Sequence, residues 1–226
     1  MKEVKIVTFS DTHNFHEVVE IPPCDILIFA GDYSSRGSKR DTELFLEWFT
    51  SQDQAVHKIL IPGNHDLSFD PKFNDETSAH HWLQVLLIKY REKFHYLENM
   101  SLELLGLKFW GSPITPDFYP EHWAFNMPRG EKINKIWTSI PNNTDVIITH
   151  GPCAFIGDYI PSQKLHVGCE DLYRRIEVLK PKLFVCGHIH EGYSKMIKNG
   201  TTFVNSSICN ERYIPVNKPH EIIITL

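Results

Sequence analysis

The sequence predicts an α/β fold, and two observations carry that reading. Five segments share one pattern, a short β-branched apolar run that stops abruptly in polar residues: VKIVTFSDTH, DILIFAGD, HKILIPGNHD, DVIITHGP and LFVCGHIH. Between them lie stretches with apolar residues at helical spacing. Short apolar runs bounded by Gly, Pro or Asp read as buried strands, and strands alternating with helices build α/β layers.

Taken in order, a helix is expected over 41–51, where Leu44, Phe45, Trp48 and Phe49 fall at i, i+1, i+4 and i+5. A second covers 78–90. A third, over 131–140, aligns Ile133, Ile136, Trp137 and Ile140, and a fourth, over 169–179, aligns Leu172, Ile176 and Leu179. The stretch 96–111 reads as two antiparallel strands joined at Leu105-Gly106. From 112 to 130 the pattern is lost, because Pro113, Pro116, Pro120 and Pro128 interrupt it. Long irregular segments inside a domain are usually functional or disordered, and Phe118, Tyr119, Trp123 and Phe125 argue against disorder here. A second loop spans 151–168. The segments 201–205 and 221–226 read as further strand. With no repeat, low-complexity tract or linker, a single domain over 1–226 is expected.

The chain has 226 residues, 42% of them hydrophobic, and a formal net charge of −5. That charge argues against long duplex nucleic acid as the main ligand, which needs clustered Lys and Arg. A small anion remains compatible, since bound metal ions supply a local positive field. Cys24, Cys153, Cys169, Cys186 and Cys209 form no C-x-x-C pair, and their odd number suits a reducing compartment. The N-terminus runs directly into a charged strand, and no apolar run is long enough to span a bilayer. A cytoplasmic protein is the expectation; oligomeric state has no signal.

Asp11, His13, Asp32, Asn64, His65, Asp66, His150, His188 and His190 all sit where a predicted strand runs out. In open α/β sheets, ligands bind outside the carboxyl ends of the strands. Each residue alone is weak: an Asp or Asn there is usually a turn former or cap, and a lone His a satisfied surface residue. Together they send oxygen and nitrogen donors, without thiolates, to one rim. Such a set suits two divalent or trivalent ions; manganese is the first choice, and iron, zinc or nickel fit the same donors. Gly31, Gly63 and Gly187 precede these residues, as expected if each takes positive φ in a sharp turn.

The order D-x-H, GD, GNHD, H-G and G-H-x-H resembles the signature of the calcineurin-like metallophosphoesterases, from Ser10 to His190. WGSPITPDFYPEHWAFNMPRG, ITHGPCAFIGD and FVNSSICNERYIPVNKP resemble the metallophosphoesterase-domain (MPPED) family within it. The resemblance implies a double β-sheet sandwich flanked by helices and a phosphodiesterase activity. It implies that Asp11, His13 and His190 hold one metal, that Asn64, His150 and His188 hold the other, and that Asp32 bridges both. Some family members carry Gly at the position of His188; its presence here implies two complete sites. Two ions roughly 3.5–4 Å apart clamp a phosphoryl group and activate a shared water as hydroxide. His65 is then the acid or electrostatic stabiliser at the phosphoryl group. Asp66 either orients it or caps a helix, and Ser10 either supports its turn or is a plain turn residue.

On the substrate side, Arg129 is a candidate for phosphate oxygens and Trp123 for stacking on a nucleobase. A surface cation and a buried loop anchor are equally open for these two. Arg36 reads as a solvated cation. His16, His57, His80, His81, His95, His122, His166 and His220 read as structural. The expected substrate is a small phosphodiester or nucleotide, cyclic nucleotides first. Phosphomonoesterase and protein phosphatase are the alternatives of the same superfamily. GDYSSRG has Ser35 where protein phosphatases carry Asp, and PGNHD replaces their R-G-N-H-E, which counts against them. A metal-binding scaffold protein is the alternative from another class; it has no need to retain the donors.

Overall fold

A computed structural model describes residues 2–73, 79–119 and 121–226. Ser78, Pro120 and the side chain of His80 lie outside the described residues. The first half of the chain runs β1 (Glu3–Phe9), β2 (Cys24–Ala30), α1 (Lys39–Thr50), β3 (Ala55–Ile61), α2 (Ala79–Tyr90) and β4 (His95–Tyr96). The second half opens with the hairpin β5 (Met100–Leu104) and β6 (Leu107–Ser112), then the short pair β7 (Thr115–Pro116) and β8 (Asn126–Met127). It continues through α3 (Glu131–Thr138), β9 (Val146–Thr149), β10 (Tyr159–Ile160), β11 (Leu165–His166), α4 (Glu170–Leu179) and β12 (Leu183–Cys186). The edge hairpin β13 (Ser194–Lys198) and β14 (Thr201–Asn205) and the last strand β15 (His220–Thr225) complete it.

Two sheets form, in the orders β15-β1-β2-β3-β4 and β13-β14-β12-β9-β6-β5. Their central strands are parallel; β15, β13 and β5 are antiparallel edges. Alternation along each strand divides the core in two. Ile6, Ile26, Ile28, Ile59 and Ile61 of the first sheet cluster with Phe109, Val146, Ile148, Val185 and Val204 of the second, so these faces lie against one another. Phe9 and Phe29 belong instead to the cluster that includes Phe45 and Phe49 of α1, and the Phe29 and Phe45 rings are 4.6 Å apart. On the other side Trp110 meets Trp137 of α3 at 6.2 Å. Each such fully buried side chain contributes about 1.5–3 kcal/mol.

Helix ends moved by one or two residues from expectation, for local reasons. α1 starts at Lys39, two residues before the expected start at 41, because the Ser38 side chain accepts from Asp41 N. Cys169 is the N-cap of α4 rather than its first residue, and Lys180 ends that helix in the left-handed region. The two loops contain the paired strands β7–β8 and β10–β11, each two residues long and too short for periodicity to reveal. Among the described residues, no helix is long and apolar enough to cross a membrane.

Candidate metal centre

The parallel strands of both sheets deliver their C-terminal ends to one rim. Asp11 and His13 follow β1, Asp32 follows β2, Asn64 and His65 follow β3, His150 follows β9, and His188 and His190 follow β12. The backbone there is unusual. Asp11, His13, Asp32 and His188 have φ of 52°, 41°, 62° and 68°. A non-glycine residue held in that region costs on the order of 1–3 kcal/mol and persists only where its surroundings over-determine it. They do so here: Asp11 N bonds Gly31 O at 2.8 Å, His13 N bonds Asp32 O at 3.2 Å, and His188 N bonds both Asp11 carboxylate oxygens at 3.0 Å.

The glycines correct the sequence expectation. Only Gly31 of the three takes positive φ, at 99°. Gly63 and Gly187 are needed for close approach instead. A Cβ on Gly63 would collide with Asp32 Oδ1 and His150 Cε1, and one on Gly187 with Asp11 Oδ2.

Three sets of donor atoms converge, each within 4.8 Å: Asp11, His13 and His190; His13, Asp32 and His65; Asp32, His150 and His188. His13 Nε2 lies 3.1 Å from His190 Nε2, and His190 Nε2 is 3.4 Å from Asp11 Oδ1. His150 Nε2 lies 3.1 Å from Asp32 Oδ2 and 2.9 Å from Asn64 Oδ1. Asp32 therefore belongs to two sets.

The fit to metal ions rests on the far side of the imidazoles. Nδ1 of His13, His65, His150 and His190 lies 3.1, 2.8, 2.8 and 2.8 Å from the carbonyls of Ser34, Ser35, Ala30 and Asn210. A carbonyl only accepts, so each Nδ1 carries the proton and each Nε2 lone pair is presented to the centre. That is the usual arrangement behind a ligating histidine.

Burial alone would raise the Asp32 carboxyl, but the His150 and His65 charges and the His150 hydrogen bond hold it below the usual range. Asp11 is likewise lowered, by its His190 partner against burial. Burial would lower His150, yet without an ion Asp32 drives it up to about 9; a bound ion would take the place of that proton on Nε2. His188 has no such bond and falls to about 3, from burial and then the neighbouring His150. Two buried carboxylates held low among imidazoles present negative charge to a cation.

Asp66 takes neither role expected of it. Its Oδ2 accepts from Asp32 N at 2.9 Å and Gly63 N at 2.7 Å, so it ties two strand-end turns together. It makes no side-chain cap bond to the short helix that follows. His65 is oriented by the Ser35 carbonyl, a backbone group that no side-chain motif reveals. Ser10 does support the site, since its hydroxyl donates to Asp11 Oδ2.

Above the centre lies a cleft of about 640 Å³ whose lining includes Asp32, Asn64, His65, His188, Phe118, Trp123, Arg129, Val167 and Tyr213. The two loop aromatics divide: Phe125 is a buried anchor, 6% exposed, whereas Trp123 lines the cleft with its ring 4.2 Å from His65. Arg36 is no isolated surface cation; its guanidinium lies 5.3 Å over the Trp123 ring. Arg129 lines the cleft, with both terminal nitrogens on the carbonyls of Gly168 and Val167.

Tyr213, which has no independent signal in the sequence, also lies at the centre. Its ring lies 4.7 Å from His13 and 5.2 Å from His190. It is carried by a turn in which Asn210 Oδ1 accepts from Arg212 N and Ile214 N. The indirect signal is Asn210, an Asx-turn former beyond a strand end. Sequence reasoning missed Ser207, which donates to Asp11 Oδ2 at 2.9 Å.

Several known proteins resemble this chain. The profile of the calcineurin-like phosphoesterases matches residues 4–192. The chain is 36% identical, over 98% of its length and 71% of theirs, to metallophosphoesterase domain-containing protein 1 of Homo sapiens and of Mus musculus. It is 26% identical to the probable glycerophosphodiester phosphodiesterase GpdQ of Arcobacter nitrofigilis, over 75% of this chain and 58% of that protein. The crystal structure of TT1561 of Thermus thermophilus shares the fold, with a TM-score of 0.60 at 13% identity over 90% of this chain and 89% of that one. The chain belongs to the calcineurin-like phosphoesterases, a metal-dependent family of phosphoester hydrolases, and within them to the metallophosphoesterase-domain proteins.

Proposed function

We propose that the chain is a dinuclear metal-dependent phosphodiesterase acting on small phosphodiesters, with cyclic nucleotides as first choice. The observation that supports the dinuclear reading is a pair of donor sets, Asp11–His13–His190 and Asp32–His150–His188, joined by a third set in which Asp32 comes together with His13. Asp11, His13 and His190 would hold one ion, Asn64, His150 and His188 the other, and Asp32 both. The ions, manganese first and iron, zinc or nickel on the same donors, supply Lewis-acid charge to the phosphoryl oxygens and an activated water. Asp11 and Asp32 hold the negative charge that two cations need. His65 acts at the leaving oxygen. With Nδ1 committed to Ser35 O, only its Nε2 is free to carry a proton there.

The diester reading rests on the cleft. A monoester dianion gains from cationic side chains around its extra oxygen. Arg129, the Arg or Lys among the cleft-lining residues, has two nitrogens occupied by carbonyls. A diester carries one charge and a second organic group, for which Phe118, Trp123 and Tyr213 offer apolar faces. The GpdQ relative, named for a phosphodiesterase activity, supports the same class. We take 1–226 as one domain, because β13, β14 and β15, beyond the matched residues 4–192, complete the two sheets. The five buried free thiols suit the cytoplasm. The test is kcat/KM of manganese-loaded protein for bis-p-nitrophenyl phosphate against p-nitrophenyl phosphate. The diester is expected to be preferred; a clear monoester preference would overturn the class.

A further inference from the structure

Arg129 stands at the end of the aromatic loop 112–130, but its guanidinium is committed elsewhere. Nη1 donates to Gly168 O at 2.8 Å and Nη2 to Val167 O at 2.5 Å. Both carbonyls belong to the other loop, 151–168. A planar fork on two adjacent carbonyls is a directional, charge-assisted link. Next to it, Gly130 N donates to Asp171 Oδ2 at 3.3 Å.

The receiving loop is itself organised. Asp158 is fully buried, and its Oδ2 accepts from Phe155 N and Gly168 N at 3.0 Å each. Its Oδ1 lies 2.6 Å from His166 Nδ1, and its carbonyl accepts from Val167 N at 3.1 Å. Gly168 is pressed so closely on the Cys153 carbonyl that no Cβ would fit. The loop is thus a unit hung from Asp158, and Arg129 fastens the aromatic loop to its end. Phe118 and Trp123 of one loop and Ile160 and Val167 of the other line the same cleft.

We infer that Arg129 is a positioning residue that sets the spacing of the two cleft walls, and with it the grip on the organic groups of a diester, without contacting phosphate. The kinetic part of this inference rests on the phosphodiesterase reading; the link between the loops does not. Releasing both carbonyls to reach a phosphate would unfasten the walls that hold the rest of the substrate.

The test uses full-length, manganese-loaded wild type, Arg129→Met and Arg129→Lys. KM and kcat are measured for bis-p-nitrophenyl phosphate and methyl p-nitrophenyl phosphate, and amide hydrogen exchange is followed over 159–168. Loss of the two bonds in Arg129→Met is expected to raise KM for the bis-aryl ester about tenfold and for the methyl ester less than about twofold, with kcat nearly unchanged. Exchange over 159–168 should quicken, and Arg129→Lys, with one compact donor, should fall between. Equal KM loss on both esters, the mark of a direct phosphoryl contact, would overturn the inference whatever the exchange shows. Were no diester turned over at all, the phosphodiesterase reading would fall, and exchange alone would decide. Unchanged exchange in Arg129→Met would overturn the link, and faster exchange would uphold it.

Discussion

At the rim, each donor lies within a few residues of a parallel strand end, and the turns that carry them are bonded to one another across both sheets. Ser10 N on Ser206 O and His188 N on the Asp11 carboxylate are examples. On the walls, Phe118 and Trp123 sit in a stretch whose regular structure is two strands of two residues; the Arg129 side chain ties it to the loop 151–168, which the Asp158 side chain organises. The rim is carried by strand ends and their turns, the walls by two loops that the Arg129 side chain fastens to one another. A rim substitution should therefore remove the centre outright, and a wall substitution should change which esters bind.

The largest effect is expected at Asp32. Asp32→Ala removes a donor common to two sets and the acceptor for His65 N. Turnover should fall to background in a p-nitrophenyl ester assay. Gly63→Ala, which adds one methyl against Asp32 and His150, should behave almost as badly. Near-normal activity in either would break the distinction between rim and wall.

His65 sharpens it. It stands at the boundary, with Nδ1 bonded like a ligand and its ring against Trp123. His65→Ala should keep its metals by elemental analysis and lose on the order of 10²–10⁴ in kcat, the range of a positioned acid or base. Metal loss equal to that of Asp32→Ala would instead make it a third ligand of the His13–Asp32 set.

On the wall, Trp123→Ala should raise KM for cyclic nucleotides by about tenfold through lost stacking. The effect on kcat should be slight. Comparing 2′,3′- and 3′,5′-cyclic nucleotides in this variant shows whether one ring geometry depends more on the wall. An unchanged KM for both would remove stacking and leave the centre untouched.

The smallest effect lies away from the cleft. His16 is buried, packed on Phe45 and Trp48, and burial holds its pKa below the ordinary imidazole value. The unfolded chain then binds this proton more readily than the folded one. Its contribution is fully present above the unfolded pKa, about 6.5, and declines below it by at most about 1.4 kcal/mol per pH unit. Melting temperatures from pH 8 to pH 5 should drop less in His16→Phe than in wild type. An identical acid slope would contradict this.

The same contrast explains what could be read from the chain alone. The strand ends were legible because an apolar run stopping at Asp, Asn or His is a contiguous pattern, and the seven donors named from it do converge in the fold. What was hidden is what reaches across the chain. The carbonyls of Ser34, Ser35, Ala30 and Asn210 that orient the imidazoles are backbone groups, which residue type does not mark. The closeness of Gly63 to Asp32 is a distance between two turns, so those glycines looked like turn formers only. Tyr213 approaches His13 from two hundred residues away in sequence. Arg129 was visible as a cation in an aromatic loop, but its partners at Val167 and Gly168 belong to a different loop.

The central claim, that Asp32 joins two metal sites, is tested most directly by counting the ions. Wild-type protein is dialysed against manganese, and bound metal is measured with the electron paramagnetic resonance spectrum of the same sample. Two equivalents per chain with a spin-coupled signal are expected, and Asp32→Ala should lose both the coupling and most of the metal. One equivalent in the wild type, or two uncoupled ions that persist in Asp32→Ala, would contradict it.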